Sequence, residues 1–505
     1  MSTIQQLRTV PDQPHASFDS YDPATGDVVA TLPLDDEASV AAAVDRARRA
    51  SPWWQALGFE GRARYLRRYK AELARRIDEL ADLVHLENGK PHGDAVLETI
   101  PVFDHLSWAA SHARRVLGPR RVRTGLVAAN MSASVEYQPL GVVGVIGPWN
   151  YPVFTPMGSI AYALAAGNTV VFKPSEYTPA VGRWLVEAWA RSVPEGQDVF
   201  GLVTGLGATG AALCRSGVDK IAFTGSAATG RKVMAACAEG LVPVLMECGG
   251  KDALVVDGDA DLDSAADAAL WCGMSNGGQT CIGTERVYVA ETAYDRFLDI
   301  LTDKARRLVP GSGADASWGP PTMPSQVEVI RRHVSDALHR GGRALVGGEG
   351  SITERGVGPM VLVDVPEDAT AVREETFGPT LTVTKVRDAE EGLALANDSD
   401  YGLGGAVFTR SRRRGIDLAR RMRGGMTSVN SIMTYAMVPG LPFGGVGESG
   451  FGRIHGPDGL REFARAKSVT AQRFALPVDL TSFNRPAGTT KLAATLMRLV
   501  HGRSR

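Results

Sequence analysis

Cys281 closes the run Gly278-Gln279-Thr280-Cys281, and Glu247 opens the run Glu247-Cys248-Gly249-Gly250-Lys251, 34 residues earlier. A thiol and a carboxylate carried by two glycine-rich turns suggest covalent catalysis, in which sulfur attacks an electron-poor carbon and the carboxylate moves protons. A thiol with an ordinary pKa of about 8.5 is only a few per cent ionised at neutral pH, so a base or dipole nearby would help it. No histidine stands close enough in sequence for a cysteine-histidine pair, and no HExxH or CxxC pattern supplies a metal. The chemistry is therefore expected to be metal-free.

Gly273-Met274-Ser275-Asn276-Gly277 matches the GxSxG elbow of serine hydrolases, which needs a strand immediately before the serine. Residues 261–271 read instead as an Ala-rich helix, and no histidine follows until His333, so the hydrolase reading is set aside. Gly205-Leu206-Gly207-Ala208-Thr209-Gly210 fits the dinucleotide pattern GxGxxG but lacks an acidic residue about 20 positions on. Phe223-Thr224-Gly225-Ser226 is the better anion site: a strand from Lys220 turns at Gly and Ser into a helix whose first N–H groups can face a phosphate. An ordinary strand-to-helix turn is the competing reading.

The 505 positions of the chain suffice for two or three domains, because single cores stop growing near roughly 250 to 300 residues. With 44% hydrophobic and 22% charged residues the composition is that of a globular protein with a sizeable core. A net charge of −1 leaves no global field to collect nucleic acid or a membrane surface. The start, MSTIQQLRTVPDQPHASF, lacks an apolar leader, no apolar run is long enough to span a bilayer, and a cytoplasmic location is expected. Cys214, Cys237, Cys248, Cys272 and Cys281 are an odd, unpaired set read as free thiols, most of them small buried apolar residues.

Helical spacing of apolar residues over 36–50 and 62–88 places amphipathic helices first, the second ended by Gly89-Lys90-Pro91. From 134 to 146 the pattern becomes β-rich. Strand-like runs at 169–172, 220–223 and 253–256 then alternate with Ala-rich helical stretches, as in a parallel α/β sheet, and a second such series spans 285–408. Residues 491–500 place Leu492, Leu496 and Leu499 on one helical face, with Arg498, Arg503 and Arg505 nearby. A helix docked on its own subunit or a frayed end is the favoured reading, a membrane or partner contact the other.

Together these runs, with Gly147-Pro148-Trp149-Asn150-Tyr151-Pro152, Lys173-Pro174-Ser175-Glu176, Glu374-Glu375-Thr376-Phe377-Gly378-Pro379 and the stretch 442–450, resemble the aldehyde dehydrogenase superfamily, in family order, from about Tyr21 to Val469. The resemblance implies a non-acylating enzyme that oxidises an aldehyde to the carboxylate. Cys281 would form a thiohemiacetal and then a thioester, the Asn150 amide and the Cys281 N–H would hold the oxyanion, and Glu247 would act as general base for hydrolysis. Lys173 and Glu176 would hold the adenosine ribose, with Ser175 of the same motif among the cofactor-binding residues. Gly225 and Ser226 would hold the pyrophosphate, Glu375 and Phe377 the nicotinamide ribose, and Trp149 would line the cleft. The cofactor expected is NAD, with NADP weaker because Glu176 competes with a 2′-phosphate.

The implied fold is α/β: a Rossmann-like cofactor domain (1–121 and 140–249), an α/β catalytic domain (250–450), a small β-flap for oligomerisation (122–139 and 451–475) and a tail (476–505), assembled as a homodimer or homotetramer. Cys248 departs from the family, where leucine is usual. The stretches expected to wall the aldehyde tunnel, 151–158, 271–283 and 433–442, contain no Lys or Arg, which favours a neutral, apolar aldehyde; succinate semialdehyde is the alternative.

Overall fold

The computed structural model describes residues 16–313, 315–353, 356–478 and 481–502. The stretch 1–15, read above for a leader, and Arg503 and Arg505 lie outside the described residues. By packing, the chain forms two compact units. The larger holds the described residues up to Val116 with Pro139–Arg465, and the smaller holds Leu117–Gln138 with the described residues from Ala466 onward.

Among the described residues the larger unit holds two large sheets and the antiparallel pair Ser17–Tyr21 with Val28–Pro33. In the first the spatial order is Gly450–Phe451, Val244–Glu247, Lys220–Thr224, Val142–Ile146, Thr169–Lys173, Phe200–Leu202, parallel throughout except for the short edge strand Gly450–Phe451. Val142–Ile146 and Thr169–Lys173 are buried at every position, as strands covered on both faces must be. The chain starts this sheet in its middle, at Val142–Ile146, and builds outward first on one side and then on the other. Such a reversal opens a crevice at the carboxyl ends of the strands.

The second sheet runs Arg343–Val346, Met360–Val363, Thr380–Val386, Thr284–Ala290, Asp252–Val256, Gly405–Phe408, Ser428–Val429, parallel except where Arg343–Val346 pairs with Met360–Val363. Asp252–Val256, which the alternation pattern runs on from the first series, is an inner strand of this second sheet. Helices Leu262–Met274 and Glu291–Ala305 bury Leu270, Phe297 and Leu301 against it. The single helix read over 62–88 is two, Gly58–Arg75 and Ile77–Asn88, because Arg76 leaves helical geometry, and Gly89 ends the second in the left-handed region at φ 84°.

The smaller unit contains a three-stranded sheet in the order Ala464–Gln472, Met131–Pro139, Arg120–Val122, and the helix Thr489–His501. Residues 451–463, grouped above with the flap, include Phe451, paired with Met246, and the helix Gly456–Glu462, both in the larger unit. Among the described residues no helix is long and apolar enough to cross a membrane.

Candidate active site

Four neighbouring strands of the first sheet end in four of the sequence motifs. Ile146 leads into Gly147-Pro148-Trp149-Asn150, Lys173 into Pro174-Ser175-Glu176, Thr224 into Gly225-Ser226, and Val244–Glu247 ends on Glu247 itself. Parallel strands put all four endings on one edge. The residues come together because the chain turns there, not because they are close in sequence.

Glu247 is 3% exposed, accepts a hydrogen bond from Thr224 Oγ1 at 3.4 Å, and lies 4.0 Å from Cys281 Sγ, which donates to its Oε1. Burial pushes the Glu247 carboxyl up to about 7 against the opposing effect of Thr224. Burial also pushes the half-buried Cys281 thiol well above its ordinary range, reinforced by the charges of Glu247, Glu375 and Asp252. The thiol is thus protonated at rest, facing a carboxylate that titrates near neutrality.

Asn150 is buried, and its Nδ2 donates to Gln279 O at 2.9 Å, which ties the loop after the first-sheet strand to the turn carrying Cys281. Its own carbonyl accepts from Lys90 Nζ at 2.9 Å and from Asn276 Nδ2 at 3.0 Å. The turn is tight: Asn276, Gly277 and Gly278 all have φ between 53° and 74°. At Gly278 a Cβ would lie 2.1 Å from the backbone of Gly378, so glycine there lets the two loops pass.

Lys173 is buried; its ammonium donates to Pro174 O at 3.1 Å, and burial lowers its pKa while Glu176 raises it. Ser175, also buried, sits 3.4 Å from the half-exposed Glu176 carboxylate and accepts from Tyr177 N–H at 3.3 Å. A Cβ at Gly210 of the GxGxxG run would lie 3.6 Å from the Lys173 stem, so that run packs beside this corner of the crevice. Ser226 caps the helix Ala227–Ala238 by accepting from Thr229 N–H. A buried three-donor ammonium, a neighbouring carboxylate and a Gly-Ser helix start are a donor and acceptor set that fits a nicotinamide dinucleotide.

Glu375 rests against backbone: Gly250 N–H donates to its Oε1 at 2.9 Å, and a Cβ at Gly249 would collide with the carboxylate at 2.2 Å. Burial, with Glu285 nearby, pushes it up to about 8. Phe377 takes φ 53° and meets the Trp149 ring edge-on, centroids 5.5 Å apart.

Two buried ion pairs that the motifs do not announce hold this frame. Lys251 pairs with Glu285 and donates to Thr376 Oγ1 at 3.0 Å, while Glu285 accepts from the N–H groups of Thr376 and Phe377, fixing the loop that bears Glu375. Lys90 pairs with Glu98 at 2.5 Å, and Glu98 accepts from the N–H groups of Val153 and Phe154. The only advance signal for Lys90 is its place in the Gly-Lys-Pro stop after a helix.

An open cavity reaches Cys281 and Glu247. Phe154, Trp271, Ile282, Met433, Phe443 and Ile454 supply much of its wall. Lys90 lies on it as well, from a segment outside the three stretches expected to wall the tunnel, but its charge is matched by Glu98; Asp94 adds a carboxyl. Ser275 follows the helix Leu262–Met274, not a strand, so the elbow geometry is absent. Cys248 is buried in the core beneath the first sheet. Among the described residues no group of three His, Cys, Asp or Glu side chains is arranged to hold a metal ion.

A profile described as the aldehyde dehydrogenase family matches residues 10–469. The chain is 36% identical over 462 residues to a 4,4'-diapolycopene aldehyde oxidase of a Methylomonas species, covering 90% of this chain and 86% of that protein. It is 35% identical to an NADP-type succinate-semialdehyde dehydrogenase of Escherichia coli, covering 89% and 93%. Its fold is similar to that of an NAD-dependent aldehyde dehydrogenase from Sinorhizobium meliloti, with TM-score 0.87, 32% identity and coverage of 92% and 93%. With sequence match, fold and the thiol-carboxylate site in agreement, the chain belongs to the aldehyde dehydrogenase family, oxidoreductases that act on aldehydes.

Proposed function

We propose that this aldehyde dehydrogenase converts a neutral, apolar aldehyde to its carboxylate with NAD, and less well with NADP, through a covalent bond to Cys281. The observation that carries the reading is the 4.0 Å approach of Cys281 Sγ to Glu247 Oε1 at the inner end of an apolar cavity.

The Cys281 thiol gives its proton to Glu247, and the sulfur adds to the carbonyl carbon. The oxygen that becomes negative is held by an N–H of the Asn150 amide, whose other N–H stays on Gln279 O, and by the Cys281 backbone N–H. A nicotinamide held in the crevice would accept the hydride that leaves the former carbonyl carbon as the C–O bond becomes the thioester C=O. Once the thioester stands on Cys281, Glu247, having released the thiol proton to solvent, takes a proton from water as that water attacks the acyl carbon. The carboxylate leaves and the sulfur is freed. Lys173, Ser175 and Glu176 would bind the adenosine side, Gly225 and Ser226 the pyrophosphate, Glu375 and Phe377 the nicotinamide ribose, beside Trp149. Glu176 favours NAD because a 2′-phosphate would bring like charge to the same place.

The cavity wall supports an apolar substrate over a carboxylated one. Its lysine is neutralised by Glu98, so the residues lining the cavity offer no unpaired cation to a second carboxylate. Within the larger unit, the first sheet and its crevice form the cofactor-binding part and the second sheet the catalytic part; the three-stranded sheet would pair subunits in a cytoplasmic homodimer or homotetramer. Steady-state kinetics over alkyl, aromatic and carboxylated aldehydes with both nucleotides tests this. The highest kcat/KM on succinate semialdehyde would overturn the substrate class, and a requirement for coenzyme A would overturn the hydrolytic step.

A further inference from the structure

The helix Thr489–His501 has no buried residue. Leu492, Leu496, Leu499 and Val500 are 73%, 48%, 70% and 50% exposed. At about 100° per residue these four share one side of the helix with Ala493 and Met497, while Lys491 and Arg498 lie at the centre of the opposite side. The helix also lies beyond residue 469, where the family match ends, so it is not explained by the aldehyde chemistry.

A helix of 13 residues is marginal in water unless something covers its apolar side. Charge indicates what does. From residue 480 to 505 the sequence carries Arg485, Lys491, Arg498, Arg503 and Arg505 and no acidic residue at all. The approach to the helix exposes Phe474 and Phe483 as well. At about 1.5 Å per residue the helix is roughly 20 Å long, too short to span a hydrocarbon core of about 30 Å but suited to lie along its surface. A surface that is negative at the level of the basic side chains and apolar a few ångströms deeper is the face of an anionic bilayer.

We propose that Thr489–His501 docks in the plane of an anionic lipid bilayer, with Leu492, Leu496 and Leu499 among the acyl chains and Lys491 and Arg498 at the phosphates. The proposal is independent of the catalytic reading.

Full-length protein is sedimented with vesicles of phosphatidylcholine containing about a quarter phosphatidylglycerol, and with pure phosphatidylcholine vesicles. The bound fraction is expected to be roughly tenfold higher on the anionic vesicles and to fall as salt shortens the screening length. The double variants Leu492→Glu/Leu499→Glu and Lys491→Glu/Arg498→Glu should each lose most of that binding while reducing nicotinamide at the wild-type rate in vesicle-free buffer. Wild-type protein that stays in the supernatant with both vesicles overturns the proposal, as does binding that survives both variants. A wild type indifferent to vesicles whose mass by light scattering drops in the leucine variant would show that a second copy covers the helix, which also overturns it.

Discussion

Cys281 Sγ and Glu247 Oε1 face each other across 4.0 Å, although 34 residues separate them and each stands at the edge of a different sheet's territory. Both groups are driven towards their neutral forms by burial, so the proton rests on the sulfur and passing it to Glu247 is uphill until a substrate carbonyl takes up the developing charge. The other four cysteines are fully buried in the surrounding core. Cys281→Ala is therefore expected to abolish nucleotide reduction, while Ala at Cys214, Cys237, Cys248 or Cys272 leaves most of it. Turnover by Cys281→Ala at the wild-type rate would refute covalent catalysis.

Because burial raises Glu247 to about 7, its basic form grows as pH rises through that value. Acyl-enzyme hydrolysis, and with it kcat, should climb along a limb centred near pH 7. Glu247→Gln should slow turnover by about 10² to 10⁴ and flatten the limb. A variant that keeps the wild-type pH profile would remove Glu247 from the role of base.

Glu176 lies beside Lys173 at the end of Thr169–Lys173, so one nucleotide phosphate there would meet both signs of charge. The wild type is expected to prefer NAD several-fold, about 1 kcal/mol, and Glu176→Gln to narrow the gap by weakening NAD and admitting NADP. Ratios of kcat/KM for the two nucleotides measure this; unchanged selectivity in the variant would show that Glu176 does not read the ribose.

Lys90 and Glu98 hold the loop that carries Asn150, through Asn150 O on one side and Val153 and Phe154 N–H on the other. Glu98→Gln leaves the Lys90 ammonium buried without its counter-charge, a loss on the order of 3 to 5 kcal/mol for such pairs. Chemical unfolding should detect the loss, and kcat should fall more than KM rises, because the oxyanion donor is displaced while the apolar wall stays. Wild-type stability and kcat in this variant would contradict the assignment.

Leu97 is an exposed residue of the cavity lining, in which the lysine, Lys90, is paired with Glu98. Leu97→Arg should raise kcat/KM for succinate semialdehyde several-fold relative to an alkyl aldehyde of equal length, the effect of an exposed ion pair worth up to about 1 kcal/mol. An unchanged ratio would mean that charge at this position does not govern substrate choice.

Strand-turn-helix order and the two glycine turns that carry Cys281 and Glu247 are legible along the chain, because each depends on residues within a few positions of one another, whereas the 4.0 Å approach of the two groups, 34 residues apart, is a product of the fold. Alternation of strand and helix signals implies a parallel sheet, while the grouping of Asn150, Lys173, Glu176, Gly225 and Glu247 into one site comes from the resemblance of their motifs to the aldehyde dehydrogenase family; the sheet supplies the physical reason, since its parallel strands end on one edge. The inner position of Asp252–Val256 in the second sheet is not legible, since a strand of five buried residues carries no mark of which neighbours it will pair with. Nor are the ion pairs Lys251–Glu285 and Lys90–Glu98, or the neutralisation of the one lysine on the cavity wall. Those depend on which charges are buried together, and the raised pKa values of Glu247, Glu375 and Cys281 depend on how completely packing removes water from them. Residue type and local spacing determined the chemistry available; desolvation and long-range pairing, which exist only in the folded chain, decided how its charges are balanced.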